Sequence, residues 1–156
     1  MIDGNNFIGY TDRNALSLAE SRPSLISKLR KFQSIVKSRV ILVFDGPPGT
    51  LIEPPDKSKK SFRVFFPNMN QKADDVIKEI ISHETDLRRF FVVTDDREIK
   101  SFAKANGARL LSCRDFKRKL REALKKYRDK AEMKKTESAL TPLEIQHMTE
   151  IFKKKK

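Results

Sequence analysis

The feature that most constrains the fold is a pair of short, wholly apolar runs that each end abruptly at an aspartate-containing turn. Val40–Phe44 is followed by Asp45-Gly46, and Phe90–Val93 is followed by Thr94-Asp95-Asp96. An unbroken apolar run of this length is typical of a strand that is buried on both faces. The segments between the runs have apolar residues at helical spacing. Strands that alternate with helices predict an α/β fold with three layers, α/β/α, around a central, mostly parallel sheet.

The other elements follow from the same two periodicities. We predict strands at Val40–Phe44, Phe62–Phe66, Phe90–Val93 and Arg109–Leu111, and helices at Ser24–Lys37, from Ala73 onward, at Arg97–Asn106 and at Phe116–Tyr127. Ser21 or Ser24 is available as the cap of the first helix, and Gly107 as the stop of a later one. The first strand is only a stub before Asp3, and a polar turn is expected from Asp3 to Asn6.

Length and charge bound the organisation of the chain and its partners. The 156 residues suffice for one compact domain, which we assign to residues 1–127, with a basic linker and C-terminal helix in residues 128–156. With 34 Lys and Arg against 21 Asp and Glu, the net charge of +13 favours a polyanionic partner such as nucleic acid. The sequence has no apolar run long enough to span a bilayer. The single cysteine and the absence of a signal-peptide pattern predict a cytoplasmic protein.

Acidic residues occur where the predicted strands end and where one helix begins. They are Asp3, Asp45, Asp74, Asp75, Asp95 and Asp96. Each alone is an ordinary turn or cap residue, but parallel sheets bind ligands at the carboxyl ends of their strands, where four acidic segments would meet. Clustered carboxylates repel one another unless cations neutralise them, and oxygen ligands of this kind suit Mg²⁺ or Mn²⁺. Two such ions could activate a water molecule and stabilise the leaving oxygen of a phosphodiester.

Four motifs occur in a fixed order along most of the chain. They are Asp3-Gly4-Asn5-Asn6-Phe7-Ile8-Gly9, Val43-Phe44-Asp45-Gly46, Lys72-Ala73-Asp74-Asp75-x-Ile77 and Val93-Thr94-Asp95-Asp96-Arg97-Glu98-Ile99. Together they resemble the successive motifs of YacP-like NYN domains, which belong to the PIN/FEN-like nuclease superfamily. This resemblance implies a PIN-like (NYN) fold and a metal-dependent endoribonuclease that uses Mg²⁺ or Mn²⁺. In some members of the family the substrate is translated messenger RNA at the ribosome.

The resemblance also implies a role for individual residues. The family's acidic positions match Asp3, Asp45, Asp74 and Asp96, which are expected to bind the metal or to orient its ligands. A second acid of the helix motif matches Asp75, and the family's asparagine after the first aspartate matches Asn5; both are expected to contribute to catalysis by supporting the metal ligands or facing the substrate. Two departures from the family stand out. Asp95 occupies a position where the family usually has a small hydroxyl residue, and the first strand has little chain before Asp3 to anchor it.

A basic stretch follows the acidic motifs. Between Arg114 and Lys135 there are 11 Lys or Arg and 4 Asp or Glu residues, a net charge of +7. Such a surface attracts a phosphate backbone without reading its sequence, although an isolated lysine-rich helix is more often only a solvated face. The predicted RNA contacts are Lys59, Lys60, Arg63, Arg97, Arg118, Arg121 and Lys125.

Several alternatives remain open. The leading one is a single-domain endoribonuclease, and the runner-up is a non-catalytic RNA- or ribosome-binding module on the same fold, against which the retention of every acid argues. A nuclease of DNA flaps would need long insertions, and a phosphatase-like hydrolase would not need so basic a surface. Cys113 is expected to be a small buried residue rather than a nucleophile. The phenylalanines are expected in the core, with Phe7 and Phe65 the two to check for base stacking. No oligomeric state is predicted.

Overall fold

A computed structural model describes residues 1–11, 18–46, 61–68 and 71–138 of the chain. Its helices are α1 (Gly4–Thr11), α2 (Leu18–Val36), α3 (Ala73–Ser82), α4 (Arg97–Ala105) and α5 (Cys113–Ser138), and its strands are β1 (Ile2–Asp3), β2 (Val40–Val43), β3 (Phe62–Phe65), β4 (Phe91–Val93) and β5 (Arg109–Leu111). A short 3₁₀ turn at Leu87–Arg89 precedes β4. The predicted C-terminal helix after Ser138 lies outside the described residues.

The five strands form one parallel sheet in the order β3-β2-β1-β4-β5, which confirms the predicted α/β fold. The shortest strand, β1, is the central one. Ile2 is paired with Leu42 on one side and with Val93 on the other, and the amide of Val93 donates to the carbonyl of Met1 at 2.9 Å. Pairing on both sides anchors this two-residue strand, so Asp3 is held at the middle of the carboxyl edge of the sheet.

Apolar side chains cover both faces of the sheet. On one face, residues of α3 and α4 such as Ile77 and Ile99 pack with Ile41 and Val92 of the strands, and all four are almost fully buried. The other side chains of the strands alternate to the opposite face. Helix α1 approaches this face so closely that a Cβ at Gly4 would lie 2.5 Å from the ring of Phe44. Helices α1, α2 and α5 are joined by aromatic contacts. The ring of Phe116 in α5 packs edge-on against Phe7 of α1 and Phe32 of α2, with ring centroids 5.2 Å and 5.6 Å away.

The polar turn predicted at Asp3–Asn6 is wrong, because helix α1 begins at Gly4. Asp3 caps this helix through Oδ1, which accepts from the amide of Asn6 at 3.1 Å. The residues that follow bury Phe7 and Ile8 in the core. An aspartate before a glycine and two asparagines is compatible with either a turn or a helix cap, and packing of the helix decides between them.

Two other boundaries also differ from the prediction. Helix α2 begins at Leu18, so neither Ser21 nor Ser24 caps it and Pro23 lies inside it. Its second turn carries Arg22, which is buried against the rings of Phe44 and Phe66, the residues that directly follow β2 and β3. Tertiary packing therefore extends the helix beyond its apolar repeat. Strand β4 begins at Phe91, whose side chain is 41% exposed, so this strand is not buried throughout.

Helix α5 is longer than the segment that the sequence predicts. It begins at Cys113, because Ser112 caps it. The hydroxyl of Ser112 accepts from the amide of Asp115 at 3.0 Å and donates to the carboxylate of Asp115 at 2.7 Å. The contacts divide the chain into two compact units, Met1–Ala123 and Leu124–Lys156. Within the described part of the chain, no helix combines the length and the apolar character needed to cross a membrane.

Candidate functional site

Asp3 is the innermost acid of the site. This residue is only 7% exposed and lies at the junction of β1 and α1. Oδ1 caps α1 by accepting from the amide of Asn6, and Oδ2 accepts from the hydroxyl of Thr94 at 3.1 Å. These two bonds fix the orientation of the carboxylate at the end of the central strand.

Thr94 connects Asp3 to the acid at the end of the neighbouring strand. Its side chain is 1% exposed, and its Oγ1 accepts from the amide of Asp96 at 3.1 Å while it donates to Asp3. Asp96 then caps α4 through Oδ1, which accepts from the amides of Glu98 at 2.8 Å and Ile99 at 2.9 Å. The hydroxyl of Thr94 therefore sets the position of Asp96 relative to Asp3.

The two acids of α3 have different surroundings. Oδ2 of Asp75 accepts from the amide of Lys72 at 3.2 Å, in the reciprocal capping arrangement that starts the helix. Asp74 is half-buried one position earlier, where its charge interacts with those of Asp96 and Asp45. Asp75 thus has a structural role at the helix start, and Asp74 is the member of the pair that belongs to the acid cluster.

The pKa values of Asp3 and Asp74 show that the separate acids interact as one site. The pKa of Asp3 is raised, first by burial and then by the charges of Asp74 and Asp96, although the bonds from Asn6 and Thr94 lower it. The pKa of Asp74 is also raised, by burial, then by Asp96, and to a smaller extent by Asp45, while Lys78 lowers it. The acids that end β1, β2 and β4 and begin α3 are therefore close enough to repel one another. We call Asp3, Asp45, Asp74 and Asp96 the acid cluster.

The acid cluster fits a divalent cation that keeps much of its water, rather than a preformed cage. Among the described residues, no three or more His, Cys, Asp or Glu side chains come together as a group that could hold a metal ion. Mg²⁺ commonly binds through only one or two carboxylates and retains several waters. Oδ1 of Asn5, at the start of α1, is buried and has no hydrogen-bond partner among the described residues, so it remains free to accept from such a water. A cation would also relieve the repulsion that raises the pKa values of Asp3 and Asp74.

A second hydrogen-bonded group, which was not predicted from the sequence, lies beside the acid cluster. Oδ1 of Asn6 accepts from the amide of Asp95 at 2.9 Å and from the thiol of Cys113 at 3.2 Å. Asp95 in turn accepts from the amide of Cys113 at 3.4 Å, so its carboxylate faces the start of α5. Cys113 is fully buried, as predicted, and burial followed by the charge of Asp95 raises the pKa of its thiol to about 12. Asn6 thereby joins α1, the turn after β4 and the start of α5.

Another missed residue is Arg22 of α2, which is only 9% exposed. Its Nη2 donates to the carbonyl of Asp45, and its guanidinium lies over the ring of Phe44. The sequence signal was weak, because the arginine precedes the apolar repeat of α2 and its aromatic neighbours come from distant segments. A buried cation therefore adjoins the acid at the end of β2.

The predicted RNA contacts are distributed over several elements. Lys59 and Lys60 lie outside the described residues. Of the others, Arg63 on β3 and Arg97 at the start of α4 are exposed, as are Arg118 and Arg121 on α5. Arg63 lies over the ring of Phe65, and Arg118 is paired with Asp115 at 3.4 Å. Lys125 is exposed as well and belongs to the second unit, Leu124–Lys156.

The two phenylalanines considered for base stacking differ in exposure. Phe7 is 2% exposed and packs on Phe116, so it is a core residue. Phe65 is only partly buried, and the guanidinium of Arg63 lies 4.7 Å from its ring centroid. Only Phe65 remains accessible enough to contact a ligand.

Comparisons with known proteins agree with this architecture. A family model described as the YacP-like NYN domain matches residues 1–155. The uncharacterized protein YacP of Bacillus subtilis (strain 168) is 30% identical over 127 residues, which cover 77% of this chain and 73% of that protein. The crystal structure of Rae1 (YacP) from Bacillus subtilis superimposes with a TM-score of 0.72 at 24% identity, covering 98% of this chain and 89% of that one. The structure of a tryptophan-to-leucine variant of Rae1 gives a TM-score of 0.69 at 26% identity, covering 88% and 84%.

Proposed function

Because the chain belongs to the YacP-like NYN family, which has a nuclease-like fold, we propose that it is a divalent-metal-dependent endoribonuclease. The observation that carries this proposal is the acid cluster, in which carboxylates from four separate segments repel one another. Its members lie at the carboxyl edge of a parallel sheet, where such folds bind their ligands. Clustered carboxylates destabilise one another unless a cation neutralises them, so a bound cation explains their arrangement better than stability does.

In this proposal, Asp3, Asp45, Asp74 and Asp96 hold Mg²⁺ or Mn²⁺, as the family resemblance implies. When bound, the metal supplies the Lewis acidity that hydrolysis of a phosphodiester requires. The chain supplies the geometry. The hydroxyl of Thr94 orients Asp3 and Asp96, and Asp75 fixes the start of the helix that carries Asp74. Asn5 is the buried side chain that can accept a hydrogen bond from water or substrate.

Exposed arginines supply the attraction for RNA. Arg97 immediately follows Asp96, so a phosphate group close to the acids can also contact a cation. Arg63, Arg118 and Arg121 add positive charge on other elements of the first unit. Contacts of this kind bind the backbone independently of sequence, and their contribution decreases steeply with salt. Messenger RNA in the cytoplasm, presented by the ribosome, is the substrate that the family resemblance suggests.

The test is cleavage of a labelled single-stranded RNA with Mn²⁺ or Mg²⁺, with EDTA as the metal-free control. Asp74→Asn removes one charge of the acid cluster with little change in shape. Glu79→Gln is the matched control, because Glu79 is an exposed acid on the same helix. We expect metal-dependent cleavage by the wild type and by Glu79→Gln, and none by Asp74→Asn.

Other outcomes would change the proposal. Cleavage that survives in Asp74→Asn would come from a contaminating nuclease. Salt-sensitive RNA binding without cleavage, also in the presence of ribosomes, would favour a non-catalytic RNA- or ribosome-binding module. The lack of a preformed group of three metal-binding side chains among the described residues is the observation that favours that second candidate.

A further inference from the structure

The buried arginine of α2 occupies an unusual place for a cation. Arginine is rarely buried unless it is paired. Arg22 is only 9% exposed, and its guanidinium donates to a carbonyl and lies against two aromatic rings. Its guanidinium carbon lies 5.2 Å from the ring centroid of Phe44 and 5.9 Å from that of Phe66. These two rings are stacked, with centroids 5.7 Å apart and planes 25° from parallel. The planar guanidinium therefore has a fixed aromatic support at the ends of β2 and β3.

The support for Arg22 is shared with the segment that carries Asp3. Phe44 is fully buried, and its ring faces Gly4, where a Cβ would lie 2.5 Å from two ring atoms. Gly4 directly follows Asp3 in the chain. One aromatic ring thus contacts both the start of α1 and the guanidinium of Arg22, so it relates the backbone positions of these two segments.

Arg22 also lies directly against the turn that carries Asp45. Its Nη2 donates to the carbonyl of Asp45, and a Cβ on Gly46 would be 4.0 Å from the same nitrogen. Gly46 has a φ of +73°, a conformation that residues with a side chain rarely adopt. The chain therefore leaves β2 through a sharply defined bend that the guanidinium holds from one side.

We infer that Arg22 is the positioning residue for Asp45. Its guanidinium, held on the Phe44–Phe66 stack, fixes the Asp45–Gly46 backbone and so directs the Asp45 carboxylate towards the other acids. Arginine suits this role because its planar group can stack and donate in a fixed direction, whereas the ammonium of lysine is a flexible point charge. The inference rests on the proposed function, which gives the Asp45 carboxylate its part in RNA cleavage.

Two substitutions separate geometry from charge. Arg22→Lys keeps the charge and loses the planar donor, and Arg22→Met loses both while it keeps an apolar stem. Phe66→Leu is a milder variant, because it keeps Arg22 and removes one ring of its support. The matched control is Arg30→Lys, since Arg30 is an exposed arginine of α2 that lies 5.8 Å from the ring of Phe62.

The first measurement is Mn²⁺-dependent RNA cleavage per folded molecule, with the folded fraction taken from thermal unfolding. For Arg22→Lys we expect kcat to decrease about tenfold with KM for RNA unchanged, as is usual when a residue that orients a metal ligand is lost. Arg22→Met should lose at least as much, and Phe66→Leu less. Arg30→Lys should match the wild type.

The second measurement does not depend on activity. Amide hydrogen exchange and ¹⁵N spectra of the metal-free protein report on Gly46, and Gly107 serves as an internal control because it also has a positive φ. In Arg22→Lys, the amide of Gly46 should shift and exchange faster while that of Gly107 stays unchanged. Calorimetric titration with Mn²⁺ should show weaker binding in Arg22→Lys than in Arg30→Lys.

The outcomes distinguish this inference from the proposed function. A wild type that never cleaves RNA would refute the proposed function, and the Gly46 amide would still decide the role of Arg22. Full kcat in Arg22→Lys with a raised KM in Arg22→Met would mean that Arg22 acts only as a charge that attracts RNA. If RNA cleavage decreased only in proportion to the folded fraction and the amide of Gly46 were unchanged, Arg22 would be an ordinary packing residue.

Discussion

Substitution of Gly4 by alanine tests how closely α1 must approach the sheet. A Cβ at this position would lie 2.5 Å from two ring atoms of Phe44 and 2.8 Å from the carbonyl oxygen of Val43. Carbon atoms in contact are normally about 3.5–4.0 Å apart, so a shift of about 1 Å is required. Phe44 is fully buried, and the carbonyl of Val43 belongs to the backbone, so neither can move away easily.

The expected effect is a clear loss of stability. Overpacking of this kind costs about 1–3 kcal/mol, and each kcal/mol lowers the Tm of a chain of this size by about 2–4 °C, so we expect a decrease of about 2–12 °C. Gly9→Ala is the control on the same helix, because a Cβ there would have no described atom within 4 Å apart from its chain neighbours and the backbone of its own helix. Replacing an interior helical glycine by alanine is expected to stabilise by about 0.5–1 kcal/mol.

The assay is thermal and urea unfolding of both variants, followed by circular dichroism. RNA cleavage per folded molecule should also decrease in Gly4→Ala, because the displacement falls on the residue after Asp3. A Gly4→Ala variant as stable and active as Gly9→Ala would refute the close packing of α1 on Phe44.

Three further predictions concern the site. Thr94→Val should lower the free energy of unfolding by about 1–3 kcal/mol in urea, because Asp3 and the amide of Asp96 each lose a buried hydrogen-bond partner. Thr94→Ser keeps the hydroxyl and should stay near the wild type. The thiol of Cys113, with its pKa raised to about 12, should resist alkylation in the native protein at mildly alkaline pH and react in denaturant; rapid native reaction would contradict its burial. Without metal, burial raises the pKa of Asp3 above 3.8, so the folded state binds more protons than the unfolded state. The contribution of Asp3 to the free energy of unfolding should therefore decrease as the pH rises from 3.8 through that raised pKa. Urea unfolding of the wild type and of Asp3→Asn at a series of pH values should show this decrease as the difference between the two curves.

Much of the fold was predictable because two of its strands, β2 and β4, are short and wholly apolar. Val40–Val43 and Phe91–Val93 lie inside the two runs that the sequence singles out, and each is followed by its acidic turn. Parallel pairing then brings the acids to one edge of the sheet, so their location could be predicted without knowing any side-chain contacts. The first strand was harder to recognise, since the stability of Ile2–Asp3 comes from two neighbouring strands and not from its own length.

The details of the site were less accessible, because they depend on contacts between distant residues. The hydroxyl of Thr94 meets Asp3 across 91 positions of sequence, and Asn6 meets Cys113 across 107. Thr94 and Asn6 lie within two of the sequence motifs, but nothing local shows which distant residue each of them contacts. Arg22 was missed for the same reason, because its burial depends on a ring at Phe66 that only the fold brings near.

The most direct test of the acid cluster as the metal site compares six proteins in one Mn²⁺-dependent RNA cleavage assay, the wild type and five single variants. Four variants replace a member of the acid cluster by asparagine, at Asp3, Asp45, Asp74 or Asp96. The fifth is Asp95→Asn, a neighbour of the cluster whose carboxylate faces the amide of Cys113. We expect each of the four to lose cleavage, while Asp95→Asn retains it with an unchanged Tm. Cleavage that depends on Asp95 and tolerates asparagine at Asp96 would contradict the site as described.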